Sequence, residues 1–159
     1  MATIAALIAG AAVAQTRPPP LFDRLIGRWD CAGRFVANGQ AIASTVTFTR
    51  DEASSSLVVH HDDAKPFAYH SLEVWTPMKP GAGLRASVSD AYSGMRWFAA
   101  ADPDGGSITW KRPVDGPTGE AFAYVLQDDG SLRIDWSTAR KDGTLALGDT
   151  LTCHRAAGA

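Results

Sequence analysis

The densest run of ionisable side chains is His60-His61-Asp62-Asp63, a set of types that can ligate a metal, hold haem iron or relay protons. Successive side chains on a strand point to opposite faces, so His60 and His61 cannot both reach one metal ion without breaking the strand, and the run makes a poor metal site. His61 shares a face with Leu57 and Val59, which turns it toward an interior where a neutral imidazole would bind haem iron or hydrogen-bond a ligand. The competing reading is a strand-end histidine beside a charged turn. His70 is the other candidate axial ligand, and His154, out of phase with Cys153, belongs on the outer surface. Asp90, Arg96 and Asp149 suit buried or rim ion pairs. The sequence contains no GxSxG, HExxH, P-loop or GxGxxG motif, so binding is expected here and turnover is not. No resident metal or cofactor is expected; haem stands as the alternative.

Five Trp (Trp29, Trp75, Trp97, Trp110, Trp136) and three Tyr (Tyr69, Tyr92, Tyr124) are many for one small domain. Trp97, Trp110 and Trp136 are in phase with Met95, Ile108 and Ile134, which predicts that they face the interior. Between Phe67 and Thr76 the Phe67/Tyr69/Trp75 face and the His70/Leu72/Val74 face are nearly equal in apolarity. The Tyr69 face is favoured because it also carries Ser71 and Glu73, polar groups able to orient a ligand. The expected lining of an internal site is therefore Phe48, His61, Tyr69, Glu73, Trp75, Trp97, Trp110, Tyr124 and Trp136, with ordinary core packing as the competing reading.

The elements that position these residues follow from composition and period. The chain has 159 residues, 45% hydrophobic and 20% charged, which suits one compact domain. A net charge of −2 without a block of like charge gives nucleic acid or an anionic membrane surface nothing to hold. Gly and Pro interrupt the chain throughout, and no long window beyond the N-terminus keeps a 3.6-residue apolar period, which excludes a helical bundle. One or two helical turns are expected over Leu21 to Ile26, stopped by Gly27. From Arg28 the period becomes two: Trp29, Cys31, Gly33 and Phe35 share one face, and after the Asn38-Gly39 hairpin signal Ile42, Ser44, Val46 and Phe48 do the same. Further strands are expected at Leu57–His61, Phe67–Thr76, Leu84–Ser89, Met95–Ala101, Ser107–Arg112, Ala121–Gln127, Leu132–Ala139 and Thr150–Arg155. About ten short strands joined by tight turns predict an all-β, up-and-down antiparallel barrel, which closes on itself and leaves no exposed edge.

Closure can be tested on the two cysteines. If Cys31 lies opposite Cys153, the antiparallel register also sets Trp29 opposite Arg155, where a guanidinium over an indole contributes about 0.5 to 2 kcal/mol. Two cysteines on the closing strands of an exported chain are most simply a disulfide, and sealing so long a loop contributes up to about 5 kcal/mol on the chain-entropy model. Export is expected from the apolar run Ile4 to Val13 and the small-x-small Ala12-Val13-Ala14. Residues 1–14 are read as a signal peptide, 15–20 (QTRPPP) as an extended leader, and 21–159 as the barrel. After cleavage no stable membrane insertion is expected, and the mature chain would be periplasmic or secreted.

At Gly27-Arg28-Trp29 the chain resembles the GxW opening of the calycin superfamily, which includes the lipocalins and fatty-acid-binding proteins. In that superfamily a short helical turn leads into GxW on the first strand, and an Arg or Lys of the last strand packs across the Trp; Gly27, Trp29 and Arg155 match those positions. Among its branches the chain looks most like small bacterial lipocalin-like domains, related in shape to the ten-stranded, haem-binding nitrobindins. The resemblance implies a barrel with an internal cavity, one end closed by Trp29 and Arg155. It also implies a small hydrophobic or amphipathic ligand held without turnover. A nitrobindin-like haem protein is one alternative. A filled barrel acting as an envelope interaction module is the other, favoured if the interior leaves no cavity above about 300 Å³.

Overall fold

The structure, a computed structural model, describes residues 18–64, 67, 69–79, 81–112 and 119–157. The expected signal peptide and the first half of the leader, residues 15–17, lie outside the described residues. The chain begins with a single helical segment, α1 (Pro20–Leu25), and continues as ten strands. These are β1 (Gly27–Phe35), β2 (Ala41–Asp51), β3 (Ser56–Asp63), β4 (His70–Pro77), β5 (Leu84–Asp90), β6 (Gly94–Ala100), β7 (Ser107–Lys111), β8 (Glu120–Leu126), β9 (Leu132–Ala139) and β10 (Leu145–Arg155). Each strand pairs antiparallel with its neighbours in sequence, and β1 pairs β10 to close the barrel.

Alternation explains most of this. On β2, Ile42, Ser44, Val46 and Phe48 are buried while Ala41, Ala43 and Thr49 are exposed. At Gly39, φ of +69° is the left-handed geometry that a tight hairpin after Asn38 demands. The weakest junction is β6 with β7, where Ala99 opposite Lys111 is the registered pair. No helix among the described residues is long and apolar enough to cross a membrane.

Closure occurs in the expected register: Cys31 faces Cys153 and Trp29 faces Arg155. Cys31 and Cys153 are disulfide-bonded across a sequence separation of 122 residues, a bond compatible with an exported protein. The Arg155 guanidinium lies 4.5 Å from the Trp29 ring centroid. It also donates to the Ile26 carbonyl at 2.7 Å and the Arg24 carbonyl at 2.5 Å, while Trp29 Nε1 donates to the Leu25 carbonyl at 2.8 Å. These bonds satisfy carbonyls that a six-residue helix cannot pair internally, so α1 is held by the barrel and not by its own length. Gly27 adopts φ +120° with Arg155 against it, which explains glycine at the turn from helix to strand.

Most element ends differ from the sequence expectation by one or two residues, and four differences are larger or carry a physical reason. Pro20 is not leader but the first residue of α1, where its missing N–H costs nothing. β4 starts at His70, three residues after the expected Phe67. β10 starts at Leu145, well before Thr150, because a register shift between Leu147 and Asp149 interrupts the alternation by which the strand was read. On β6 the faces are reversed: Met95 and Trp97 are 63% and 59% exposed, and Arg96 and Phe98 are buried. Arg96 can be inside because Asp90 and Glu120 meet it there.

Candidate functional site

The interior has two unlike halves. At the α1 end, Leu21, Phe22 and Leu25 plug the barrel over an aromatic cluster. Trp75 is at its centre, with ring centroids 5.0 Å from Trp110, 4.7 Å from Tyr124, 5.6 Å from Phe48 and 6.2 Å from Phe22. These aromatic residues are buried, so Phe48, Trp75, Trp110 and Tyr124 fill the lumen where the sequence reading had them line it. The ring pairs are edge-to-face or tilted, and all four side chains are buried, which is the geometry of core packing.

At the opposite end, where β1 and β2 meet through the Phe35–Ile42 region, lies a cavity of about 260 Å³. Its apolar walls are Phe35, Ile42, Phe122, Ile134, Trp136 and Leu151; its polar groups are His61, Asp63, Tyr69, Tyr92, Ser93, Arg96, Glu120 and Asp149. Of the expected lining, His61, Tyr69 and Trp136 meet in this cavity. The Tyr69 face of β4 is the inward one, since Ser71, Glu73 and Trp75 are buried and Leu72 is exposed. Trp97, expected inside, is on the outer wall.

Glu73 lies at the boundary between the halves. Its carboxyl accepts from Ser71 Oγ at 3.1 Å and Trp75 Nε1 at 2.8 Å. Burial pushes its pKa above the ordinary glutamate value against those two donors; expected in the lining, Glu73 is not among the residues that border the cavity. Above it, Arg96 is paired to Asp90, donates to Glu120 Oε1 at 2.5 Å and reaches the Tyr69 hydroxyl at 3.4 Å. Burial pushes the Tyr69 phenol up to about 12, so it stays protonated. Glu120 Oε1 also accepts from Trp136 Nε1 at 3.0 Å, which fixes the indole.

On the facing side, His61 Nε2 is 3.2 Å from Asp63 Oδ1, at ion-pair distance but off the hydrogen-bonding direction. The His61 ring is edge-on to Tyr69 at 5.4 Å. Asp149, expected in an ion pair with the Arg96 group, is separate from it. Burial pushes its carboxyl up to about 6, with Asp63 and Asp135 adding to the rise and His61 opposing it. His70 and His154 are exposed, and His70 Nδ1 is bonded to Asp62 at 2.8 Å outside the barrel.

Haem does not suit this lining. His61 is the cavity's histidine among the described residues, and its Nε2 is turned against Asp63. Haem propionates would meet Asp63, Glu120 and Asp149. Among the described residues no group of three or more His, Cys, Asp or Glu is arranged to hold a metal ion.

Sequence reasoning missed the role of Gly148. The bulge beside it restores Asp149 to the inward face, and a Cβ at Gly148 would lie 2.5 Å from Trp136 Cε3 and 2.7 Å from Cζ3. The indole therefore rests directly on the Gly148 backbone. A glycine two residues before a hydrophilic-to-apolar strand segment is the signal available in the sequence, and it is a faint one. No family model and no curated protein matches the chain, so its function is read from the geometry of this site.

Proposed function

We propose that the chain is an exported, lipocalin-like barrel of the calycin type that holds a small hydrophobic or amphipathic molecule in the open half of its interior, without turnover. The observation that carries this reading is the asymmetry of the lumen: one half is plugged and packed, the other keeps a cavity with apolar walls and convergent polar groups. The walls would supply affinity through burial at about 25 cal/mol per Å², and Tyr69, Arg96 or His61 would set orientation. At about 260 Å³ the cavity falls below the mark of about 300 Å³ under which a filled interaction module is favoured, so size alone counts toward that second reading; the ligand reading rests on the convergent polar groups within apolar walls and is confined to a compact molecule, not a long acyl chain. Export is supported by the Cys31–Cys153 disulfide together with the Ile4–Val13 apolar run.

Native mass spectrometry of protein expressed with export and purified without detergent tests the reading. An adduct that leaves on denaturation is the expected result, and its mass gives the ligand's size. A bare chain across several expression hosts would overturn it in favour of the second reading, an interaction module of the envelope. That second reading has its own support in the row of exposed Leu72, Ser89 and Met95 on adjacent strands, with Trp97 beside it.

A further inference from the structure

The cavity's charges do not balance. Arg96 is taken up by Asp90 and Glu120, and Arg112 reaches Glu120 at the rim, 3.9 Å away. On the opposite side Asp63 and Asp149 face a single imidazole, His61. A chamber short of positive charge and walled by apolar groups favours a ligand that brings a cation with it.

The placement of Asp149 says where that cation would go. Across β10 its registered neighbours are Phe35 on β1 and Trp136 on β9, and Trp136 is in turn opposite Phe122 on β8. All four line the cavity. A carboxylate is thus set in a row of aromatic rings, and its nearest indole cannot drift: Gly148 supports the ring and Glu120 holds Nε1. Carboxylate plus ring face is the chemistry that recognises an ammonium, through a charge-assisted hydrogen bond and attraction to the ring quadrupole. The raised pKa of Asp149 agrees, since burial outweighs the opposing pull of His61 and the neighbouring Asp63 and Asp135 add to the rise.

We infer that the chamber takes a small organic cation, a primary or secondary ammonium on an apolar or aromatic body, with its N–H donors on Asp149 and its charge against Trp136. The inference rests on the reading of the open half as a binding chamber, and it adds the class of ligand.

The test is calorimetric titration of the purified mature protein at pH 7.5 with three probes of similar size: 2-phenylethylammonium, 2-phenylethanol and 3-phenylpropanoate. The ammonium should bind about tenfold more tightly than the alcohol, as a charge-assisted hydrogen bond implies, and the carboxylate should be weakest. Asp149→Asn should erase the ammonium's advantage over the alcohol, with thermal melts showing that the variant is folded. Equal affinity for ammonium and alcohol would overturn the inference while leaving the binding chamber intact. Tightest binding of the carboxylate would overturn it in favour of Arg96 as the recognising group. Equal losses for both probes in Asp149→Asn would overturn it by showing a structural role. Binding of none of the three would also overturn it, and the adduct experiment would then decide separately whether the barrel carries a ligand.

Discussion

Trp75 and Trp136 are both indoles on inward faces of the same barrel, and each donates its N–H to a glutamate, the buried Glu73 or the partly buried Glu120. Trp75 is surrounded by Phe22, Phe48, Trp110 and Tyr124 and has no exposed surface. Trp136 has Gly148 behind it and a cavity in front. What separates them is the neighbourhood: α1 drops three apolar side chains, Leu21, Phe22 and Leu25, onto one end, whereas the other end is ringed by carboxylates that resist collapse because they keep their charge only if water, a cation or a donor remains near. Aromatic count therefore does not forecast a cavity; what lies over the aromatic residues does.

The largest effect should come from cutting into the packed half. Trp75→Ala removes the centre of the cluster and the donor on Glu73, and should cost about 4 kcal/mol in urea unfolding. Phe122→Ala in the open half should cost about 1 kcal/mol, because that ring already borders empty space. Equal losses would break the division. Removing the staple in a Cys31→Ala/Cys153→Ala variant should cost about 3 kcal/mol, measured the same way. Because the bond lies on the β1–β10 seam that also carries Trp29 and Arg155, hydrogen exchange should quicken there before the cavity's strands respond.

How far this division was legible in the sequence depends on the element. The strand count, the β1–β10 register and the disulfide followed from alternation and one residue sum, since a closed antiparallel barrel leaves few registers compatible with paired cysteines. The inward face of β4 followed from Ser71 and Glu73, read as polar groups able to orient a ligand, although in the structure Ser71 and Trp75 donate to Glu73 instead. β6 misled because Met95 and Trp97 outweigh Arg96 in hydropathy, and only tertiary partners on β5 and β8 make a buried arginine tolerable. β10 misled because a bulge moves parity by one residue without any apolar signal. The split between packed and open halves was illegible, since it depends on how α1 folds back over one mouth, a contact between residues more than 50 apart such as Phe22 and Trp75.

Two smaller effects sharpen the picture of the open half. Gly148→Ala should push Trp136 off its seat, cost about 2 kcal/mol and shift the indole fluorescence. Asp149→Asn should act in the other direction. The native carboxyl titrates near 6 against an ordinary value of 3.8, so the folded state binds the proton more tightly and stability falls as pH rises between those values. The variant should be more stable than the parent by about 1 kcal/mol at pH 7, discounted for its partial exposure, with no gain at pH 3.5. Urea midpoints across pH would show this; an equal gain at both pH values would remove the charge explanation.

Small molecules should enter the half containing Trp136 and not the half containing Trp75. The most direct measurement is a titration of ¹⁵N-indole-labelled protein with the neutral amphiphile 2-phenylethanol, following the five indole N–H resonances by NMR. The structure predicts that the Trp136 signal moves in a saturable way while those of Trp75 and Trp110 hold still. A stationary Trp136, or a response greatest at Trp97 on the outer wall, would show that the open half is not where small molecules bind.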